Sequence, residues 1–273
     1  MTTAVTPRGT GAPARPAEAT TARPVVVDVR AVHKSYGPAG NNVLALTDIT
    51  LTVERGSFVC MVGASGCGKS TLLNLISGLD KPDSGRIGVS GRVSLLFQEA
   101  ALFPWLTAAE NVDLALRLAG VPRRHRREQV RDLLHLVHLD GFGDKRPHEL
   151  SGGMRQRNAL ARSLAQGADI LLMDEPFGSL DAMTRDVLHE ELERLWNEQG
   201  FTVVFVTHDV REAVRLADRV VLLTSRPGRV AEQVNVDLPR PRGMTDPAVA
   251  RMGDEIIAKL RREVLRHATD DVQ

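Results

Sequence analysis

Three short stretches of the chain are apolar at every position, and each gives way to polar residues at its carboxyl end. They comprise residues 58–62, 170–173 and 203–206. Continuous apolar runs of this length are typical of interior strands in a parallel sheet that is covered on both faces. In open sheets of parallel strands, ligands bind at the carboxyl ends of the strands. The hydrophobic pattern therefore predicts one ligand site at the edge where these three strands end.

Helical periodicity fills much of the remaining chain. Helices are expected directly after residue 70, with Gly78 as a stop signal, at about 154–166, and at 184–199. The stretch from about 108 to 148 is polar with a helical pattern. A further helix, predicted to dock back on the domain, is expected near the carboxyl terminus. Its apolar positions are Val249, Met252, Ile256, Leu260 and Val264.

Composition favours a cytosolic globular protein. The 273 residues allow one large domain or two small ones, and a formal net charge of +1 gives no argument for nucleic-acid binding in bulk. With only two cysteines, a reducing compartment is expected and a disulfide framework is not. No apolar run approaches the roughly 18 residues of a membrane span. Residues 1–24, rich in Thr, Ala, Pro and Arg, are predicted to be a disordered tail, not a signal peptide.

The segment after the first apolar run fits the phosphate-binding pattern G-x-x-x-x-G-K-[ST] at every fixed position. Backbone N–H groups of such a loop, with the helix that follows, form a cradle for phosphate oxygens, so we expect a nucleotide triphosphate here. Lys69 should reach the β- and γ-phosphates, and the Ser70 hydroxyl should bind Mg²⁺. The predicted nucleotide-binding residues of this segment are Gly63, Ala64, Ser65, Gly66, Cys67, Gly68, Lys69, Ser70 and Thr71.

Acidic and imidazole side chains follow the other two apolar runs. Asp174 and Glu175 come directly after residues 170–173, and His208 comes shortly after residues 203–206. Asp174 is expected to order Mg²⁺, through water, because Mg²⁺ keeps much of its hydration shell. Glu175 is the candidate general base for the attacking water, and His208 is expected to hold that water and Glu175 in register near the γ-phosphate.

A second anion-binding helix start is predicted at Ser151, Gly152 and Gly153. Ser151 is a good N-cap residue, and the two glycines leave the next amides uncovered. One nucleotide does not need two such cradles from one molecule. A head-to-tail dimer, in which each copy offers this helix to the nucleotide of the other, uses both cradles.

These segments resemble those of the ABC transporter ATPase family, and the resemblance covers roughly residues 25–234. Residues 150–156 are similar to the family's signature motif, residues 170–175 to its Walker B strand, and residues 179–181 to its D-loop. His208 resembles the switch histidine of the family. The bound nucleotide is therefore expected to be ATP, and the chain to be an ATPase.

Two further site residues come from the same resemblance. Gln98 resembles the Q-loop glutamine, which implies a catalytic role and a place among the Mg²⁺ ligands. Tyr36 resembles the aromatic residue that stacks on adenine, and it is the only tyrosine of the chain. From the residues alone, a lone tyrosine near a turn is more often a packing residue.

The resemblance implies an α/β fold: a P-loop NTPase (RecA-like) core with a parallel sheet, an N-terminal antiparallel β-subdomain and an inserted α-helical subdomain. The ATPase domain would span residues 25–234, with the helical subdomain at about 100–165. Residues 235–273 would form a C-terminal extension with a docking helix, too short for an added β-barrel regulatory domain.

The same resemblance implies an importer subunit that pairs with a second copy of itself and with two transmembrane permease subunits. It would act indirectly with a solute-binding protein, at the cytoplasmic face of the membrane. The apolar segment that ends at Trp105 could contact a permease helix or pack within the subdomain. The rival class is a soluble ABC-type ATPase acting on DNA or ribosomes, which usually has a long coiled coil or two cassettes.

Two other patterns do not indicate a further ligand. The basic run 123–127 is followed by Glu128 and Asp132, has no interleaved aromatic residue, and is interpreted as a solvated helix start, so no nucleic-acid partner is expected. His135 and His138 have a ligand-like spacing on one helix face, but without a second pair no metal other than Mg²⁺ is predicted.

The cargo is suggested only by subfamily likeness. Residues 97–99, 102–105, 225–229 and 237–242 are similar to the ATPases of nitrate, sulfonate and taurine importers. Aliphatic sulfonate is the first expectation, with nitrate or taurine as alternatives.

Overall fold

Two sheets make up the strand framework of this computed structural model, which describes residues 23–38, 42–178 and 180–270, with side chains up to residue 263. A three-stranded antiparallel sheet has the order β2-β1-β4, and a six-stranded sheet has the order β5-β6-β7-β3-β8-β9. The strands are β1 Val25–Tyr36, β2 Val43–Glu54, β3 Phe58–Val62, β4 Ser84–Val89, β5 Val93–Leu96, β6 Ile170–Asp174, β7 Thr202–Val206, β8 Arg219–Leu223 and β9 Val230–Asn235.

The three apolar stretches of the sequence are neighbours in the middle of the large sheet. They form β6, β7 and β3, which pair in parallel, as predicted, with β5 and β8 as parallel neighbours on either side. All five residues of β3 are buried. Phe58, Cys60 and Val62 face one hydrophobic core, while Val59 and Met61 face a second core on the other side of the sheet. Burial on both faces explains why the run is apolar at every position.

Seven α-helices lie within the described residues, and none of them is long and apolar enough to cross a membrane. The helices are α1 Lys69–Ser77, α2 Ala108–Leu118, α3 Arg123–Leu136, α4 Gly152–Ala165, α5 Ala182–Gln199, α6 Val210–Leu216 and α7 Pro247–Asp270. Together with the two sheets they confirm the predicted α/β class, with an antiparallel β-subdomain at the amino-terminal side and helices α2 to α4 inserted between β5 and β6.

Two helices begin two residues earlier than predicted, for a reason visible at their caps. Ser151 accepts a hydrogen bond from the backbone N–H of Met154, which makes Gly152 the first residue of α4. Asp181 accepts one from the N–H of Thr184 in the same way, so α5 begins at Ala182. An N-cap side chain bonds to the amide three positions ahead, so each helix starts directly after its cap.

The two histidines with ligand-like spacing do not share a helix face, which corrects the expectation from sequence. Helix α3 ends at Leu136, and His138 follows it with a left-handed backbone, φ 53°. His135 instead contacts the Asp140 carboxylate at 3.0 Å on the surface. Within the described ranges, no group of three or more His, Cys, Asp or Glu side chains is arranged to hold a metal ion.

The carboxyl-terminal segment packs against α6, the helix that follows β7. Val249 and Ile256 of α7 are fully buried in the core that covers this side of the sheet. The buried Arg242 guanidinium donates to the carbonyl oxygens of Val214 at 2.8 Å and Ala217 at 2.6 Å, at the end of α6. Two parts of the predicted pattern, residues 1–22 and the Val264 side chain, lie outside the described residues.

Candidate nucleotide-binding and catalytic site

The phosphate-binding segment forms a loop between β3 and α1 whose backbone leaves no room for larger residues. Gly68 is the N-cap of α1 with a left-handed backbone, φ 93°, and α1 has no side-chain cap. A Cβ on Gly68 would lie 2.5 Å from the Leu46 side chain, and one on Gly63 would lie 2.8 Å from the Leu223 carbonyl oxygen. An uncapped helix start leaves its N–H groups available to an anion.

Lys69 is folded over this loop. Its side chain is nearly buried, and its ammonium donates to the carbonyl oxygens of Gly63 at 2.9 Å and Ala64 at 3.1 Å. The two carbonyl oxygens therefore hold the ammonium at the opening of the loop, where a phosphate group would compete with them for it. Ala64, Ser65 and Gly66 are exposed at the rim, while the Cys67 side chain is buried beneath them.

Ser70 and Asp174 meet at the end of β6. The Ser70 hydroxyl is hydrogen-bonded to the Asp174 carboxyl, and the charges of Glu175 and Lys69 are both close enough to act on it. Burial raises the pKa of Asp174, and the Ser70 hydrogen bond and Lys69 oppose that shift. A desolvated carboxylate beside a hydroxyl gives the hard oxygen ligands that suit Mg²⁺. These two residues therefore fit the predicted metal site.

Glu175 and His208 form the predicted pair. The Glu175 Oε2 atom lies 3.1 Å from His208 Nδ1, and the histidine side chain is more exposed than the glutamate. A carboxylate oxygen can only accept, so Nδ1 must carry the proton of this contact. Glu175 has a left-handed backbone, φ 43°, and its N–H donates to the Val206 carbonyl oxygen at 3.0 Å, which turns its side chain out of the strand direction.

The turn that carries His208 is fixed by its neighbours. Asp209 caps α6 by accepting from the N–H groups of Arg211 at 2.9 Å and Glu212 at 3.2 Å. The Thr207 hydroxyl accepts from the Asp209 N–H at 3.0 Å. These bonds hold the backbone on the carboxyl side of His208, so its imidazole is presented from a rigid turn.

Behind this turn, α5 and α6 share a buried polar network that the sequence did not predict. His189 Nε2 lies 2.6 Å from the Glu212 carboxylate, and Arg215 donates to His189 Nδ1 at 3.0 Å and to Asp186 at 2.9 Å. A guanidinium cannot accept, so Nδ1 must be the acceptor and Nε2 the proton donor. Both ring nitrogens of the buried His189 are thus used in joining the two helices.

Tyr36 lies at the end of β1, close to the start of α1. Its ring is partly exposed, its hydroxyl donates to Asp80 at 2.8 Å, and it is also hydrogen-bonded to Thr71. Lys34 binds the same Asp80 carboxylate at 2.9 Å and lies 5.1 Å from the centre of the tyrosine ring. Lys34, ahead of Tyr36 and the Lys81 backbone, lowers the pKa of Asp80 to about 2. Sequence reasoning missed Lys34 and Asp80, which orient this ring.

Gln98 lies in an exposed loop after β5, and no hydrogen bond joins it to Ser70 or Asp174 within the described part of the chain. Side chains of α4 are hydrogen-bonded to the backbone of this loop. Gln156 donates to the Phe97 carbonyl oxygen at 3.2 Å, and Arg162 donates to those of Ala101 at 2.6 Å and Ala100 at 3.3 Å. The loop is therefore tied to α4 on either side of Gln98.

The aromatic segment after this loop combines a fixed backbone with an exposed tryptophan. The Trp105 side chain is 67% exposed, and its ring leans on that of Phe103 at 5.5 Å. The Arg162 guanidinium lies over the Phe103 ring, 5.8 Å from the ring centre. The fully buried Asn111 amide accepts from the Phe103 N–H at 2.9 Å and donates to the Thr107 carbonyl oxygen. The turn that presents Trp105 is thus rigid.

Ser151 and Gly152 are exposed at the start of α4. Among the described residues, no hydrogen bond or ion pair links them or Gly153 to the phosphate-binding loop of the same chain. A Cβ on Gly153 would lie 2.9 Å from the end of the Leu180 side chain, so a larger residue there would require that side chain to shift. Ser179, the first residue of the predicted D-loop, lies outside the described residues.

Comparison with known sequences gives matches along most of the chain. Residues 46–178 match the sequence profile described as ABC transporter. The chain is 42% identical to the aliphatic sulfonates import ATP-binding protein of Bacillus licheniformis, over 85% of this chain and 92% of that protein. It is 45% identical to the nitrate import ATP-binding protein of a Synechocystis strain, over 81% and 89%. It is 44% identical to the bicarbonate transport ATP-binding protein of Synechococcus elongatus, over 87% of this chain but 38% of that longer protein.

A similar structure is the dimeric post-hydrolysis state of an ATP-binding cassette bound to ADP and Pi. It superposes with a TM-score of 0.71 at 33% identity, covering 80% of this chain and 99% of the other. The fold therefore agrees with the sequence matches.

Proposed function

Because the chain belongs to the ABC transporter family and is the ATP-binding subunit of an importer, we propose that its ATPase energises the uptake of a small anion, aliphatic sulfonate first. The observation that carries the catalytic part is the meeting of Ser70 with Asp174 next to the Glu175–His208 pair, at the carboxyl edge of the sheet. Parallel strands bring all four residues to one edge, where a nucleotide in the loop would lie.

The proposed binding step uses the loop between β3 and α1. Its free N–H groups and Lys69 take the phosphates, and Tyr36 stacks on the adenine. Ser70, Asp174 and Gln98 would hold Mg²⁺, which supplies charge neutralisation on the phosphates when bound. Gln98 is exposed in the loop after β5, and among the described residues no hydrogen bond joins it to Ser70 or Asp174.

In the proposed chemical step, Glu175 accepts a proton from the attacking water. His208 donates a hydrogen bond from Nδ1 to the Glu175 carboxylate and so holds the carboxylate in place. The other imidazole nitrogen, Nε2, would donate to the γ-phosphate region from the imidazolium form, in which both ring nitrogens carry a proton. Asp174 and Glu175 are both half-buried, but Asp174 is hydrogen-bonded to Ser70 and Glu175 contacts His208, which suits a metal ligand and a base respectively.

The exposed start of α4 would act on the nucleotide of a second copy of the chain. Ser151 and Gly152 have no partner within their own nucleotide site, and the similar cassette is a dimer. A head-to-tail pair would place each exposed helix start over the phosphates of the other copy. ATP binding would close such a pair, and hydrolysis would reopen it.

The helical subdomain is the proposed contact with two permease subunits at the cytoplasmic face of the membrane. Trp105 is its most exposed aromatic residue among those described, and it stands on the loop that Arg162 ties to α4. Apolar surface that is exposed on a rigid turn is typical of a docking site. A solute-binding protein would deliver the cargo to these permeases.

Aliphatic sulfonate is the first cargo candidate, and nitrate, taurine and bicarbonate are the alternatives. The support is the naming of relatives of 42–45% identity, which include importers of sulfonates, nitrate and bicarbonate. The cassette itself need not contact the cargo, so similar cassettes can serve different permeases. The second class, a soluble ABC-type ATPase not coupled to transport, has no named relative among these.

The cargo is tested by growth of a deletion strain with an alkanesulfonate, taurine or sulfate as sulfur source, or nitrate as nitrogen source, and at low bicarbonate. We expect a defect confined to the alkanesulfonate medium, restored by the intact gene and not by its Lys69→Ala variant. Failure on nitrate alone would move the assignment to nitrate. Normal growth in every medium would contradict a role in anion uptake and favour the soluble class.

A further inference from the structure

The loop between β8 and β9, residues 224–229, lies directly against the phosphate-binding loop. A Cβ on Gly228 would overlap the carbonyl oxygen of Cys67, so the two backbones are in contact there. Gly228 also donates to the Ala45 carbonyl oxygen at 2.9 Å and accepts from the Thr47 N–H at 3.0 Å. The β8–β9 loop is therefore fixed to β2 on one side and to the phosphate-binding loop on the other.

The same loop is closed by its own hydrogen bonds. Thr224, which is 5% exposed, donates its hydroxyl to the Pro227 carbonyl oxygen at 3.1 Å and accepts from the Arg229 N–H at 2.9 Å. The Thr224 N–H donates to the Arg229 carbonyl oxygen at 3.0 Å. A loop with this many internal bonds presents its side chains from a fixed backbone.

Arg226 is the side chain that this loop presents to the phosphate-binding loop. Its Nη2 atom lies 3.4 Å from the position that a Cβ on Gly66 would take. Arg226 is exposed, and it makes no hydrogen bond or ion pair among the residues that the structure describes. Lys69, by contrast, is engaged by two loop carbonyls. The guanidinium thus lies beside the exposed rim of the loop with its donors unused.

We propose that Arg226 is a second cation of the nucleotide site and donates to the phosphate oxygens of bound ATP. This inference rests on the proposed function, because it requires a nucleotide in the loop beside Gly66. Guanidinium groups form short, charge-assisted and often bidentate hydrogen bonds to phosphate. Since Arg226 has no other partner in the described residues, it loses no existing contact when it binds the anion.

Arg229 provides a matched control for the test. It belongs to the same loop, is also exposed, and its removal changes the net charge equally, but it has no described side-chain contact with the phosphate-binding loop. Arg226→Gln, Arg226→Lys and Arg229→Gln are compared with the wild type by calorimetric titration with ATP and ADP at low and high salt, in the full-length protein.

We expect Arg226→Gln to raise the Kd for ATP about threefold to tenfold, the range of one exposed charge-assisted contact, while Arg229→Gln stays close to wild type. Arg226→Lys should fall between them, because it keeps the charge and loses the bidentate geometry. The salt dependence of ATP binding should be weaker in Arg226→Gln than in Arg229→Gln.

Equal Kd values for the two Gln variants would overturn the proposal. An unchanged Kd with altered dimerisation would also overturn it, because Arg226 would then contact the second copy. If Arg226→Gln lowers the Tm of the nucleotide-free protein, the test rests on Arg226→Lys instead. A wild-type Kd for ATP and a wild-type salt dependence in Arg226→Lys would then reject the bidentate contact. Failure of the proposed function gives a different result: the wild type itself would not bind ATP, or Lys69→Ala would bind it equally.

Discussion

At the scale of single residues, Glu175, the proposed base, has an unfavourable backbone conformation. A left-handed φ of 43° costs about 1 kcal/mol or more in a residue that is not glycine. The conformation directs the carboxylate towards His208, 3.1 Å away, rather than along the strand of Asp174. Two adjacent carboxylates thus have different partners, Ser70 for Asp174 and His208 for Glu175, in keeping with the proposed metal-ligand and base roles.

Glu175→Gln should abolish hydrolysis and leave ATP binding intact. The amide oxygen can still accept from His208, so the substitution removes the base and keeps the contact. We expect the rate to fall by more than about 100-fold, as is usual for loss of a general base, and an ATP-bound dimer to accumulate. Phosphate release and size-exclusion chromatography measure the two effects, with Glu198→Gln on the surface of α5 as the control. A rate within about tenfold of wild type would reject Glu175 as the base.

At the scale of elements, two buried asparagines differ in whether their side chains are hydrogen-bonded. Asn111 of α2 is fully buried and hydrogen-bonded through both amide atoms. Asn158 of α4 is equally buried, but neither its oxygen nor its nitrogen has a partner within the described structure. Helix α4 therefore carries a polar group whose desolvation is not compensated by hydrogen bonds within the described structure.

Alanine at these two positions should change stability in opposite directions. Asn158→Ala should raise the free energy of unfolding by about 1 kcal/mol, because it removes an unsatisfied buried amide, while Asn111→Ala should lower it by about 2 kcal/mol. Urea unfolding of the nucleotide-free protein followed by circular dichroism measures both. A comparable loss in both variants would mean that Asn158 is satisfied, for example by a buried water.

The sequence predicted those elements whose residues are decided locally. Strands β3, β6 and β7 are buried on both faces, so their apolar pattern alone identified them and placed Asp174 and Glu175 at the end of β6. The contact of Gln156 with Phe97 spans 59 positions, and that of Arg226 with Gly66 joins two loops. No period or motif encodes such contacts, because they depend on how finished elements pack.

At the scale of the whole molecule, the proposed head-to-tail pairing would make each nucleotide site dependent on the exposed start of α4 from a second chain. Gly152→Asp is the better test of this than a change at Gly153, whose Cβ would clash with Leu180. The variant should bind ATP as a monomer and fail to hydrolyse it, because the added carboxylate repels phosphate in the dimer.

Mixing Gly152→Asp with Lys69→Ala should restore activity that neither variant has alone. In a heterodimer both lesions fall on one site and the other site is intact, so an equal mixture should reach up to about a quarter of wild-type turnover if the sites are independent. ATP hydrolysis by the mixture, compared with each variant at the same total concentration, gives the result. A mixture no more active than its components would contradict the head-to-tail arrangement.

Helix α4 connects the two parts of this proposed arrangement. Its first residues are exposed, where the proposed pairing would place the nucleotide of the other copy. Its Gln156 and Arg162 are hydrogen-bonded to the loop of Gln98, the residue proposed to act at the nucleotide of its own copy. Under this pairing, a shift of α4 towards the nucleotide of the other copy would also move the loop of Gln98 to which it is bound. Under head-to-tail pairing, the subdomain built on α4 would therefore respond to joint occupancy of the two nucleotide sites rather than to either nucleotide alone. The aromatic turn at Trp105 would move with it.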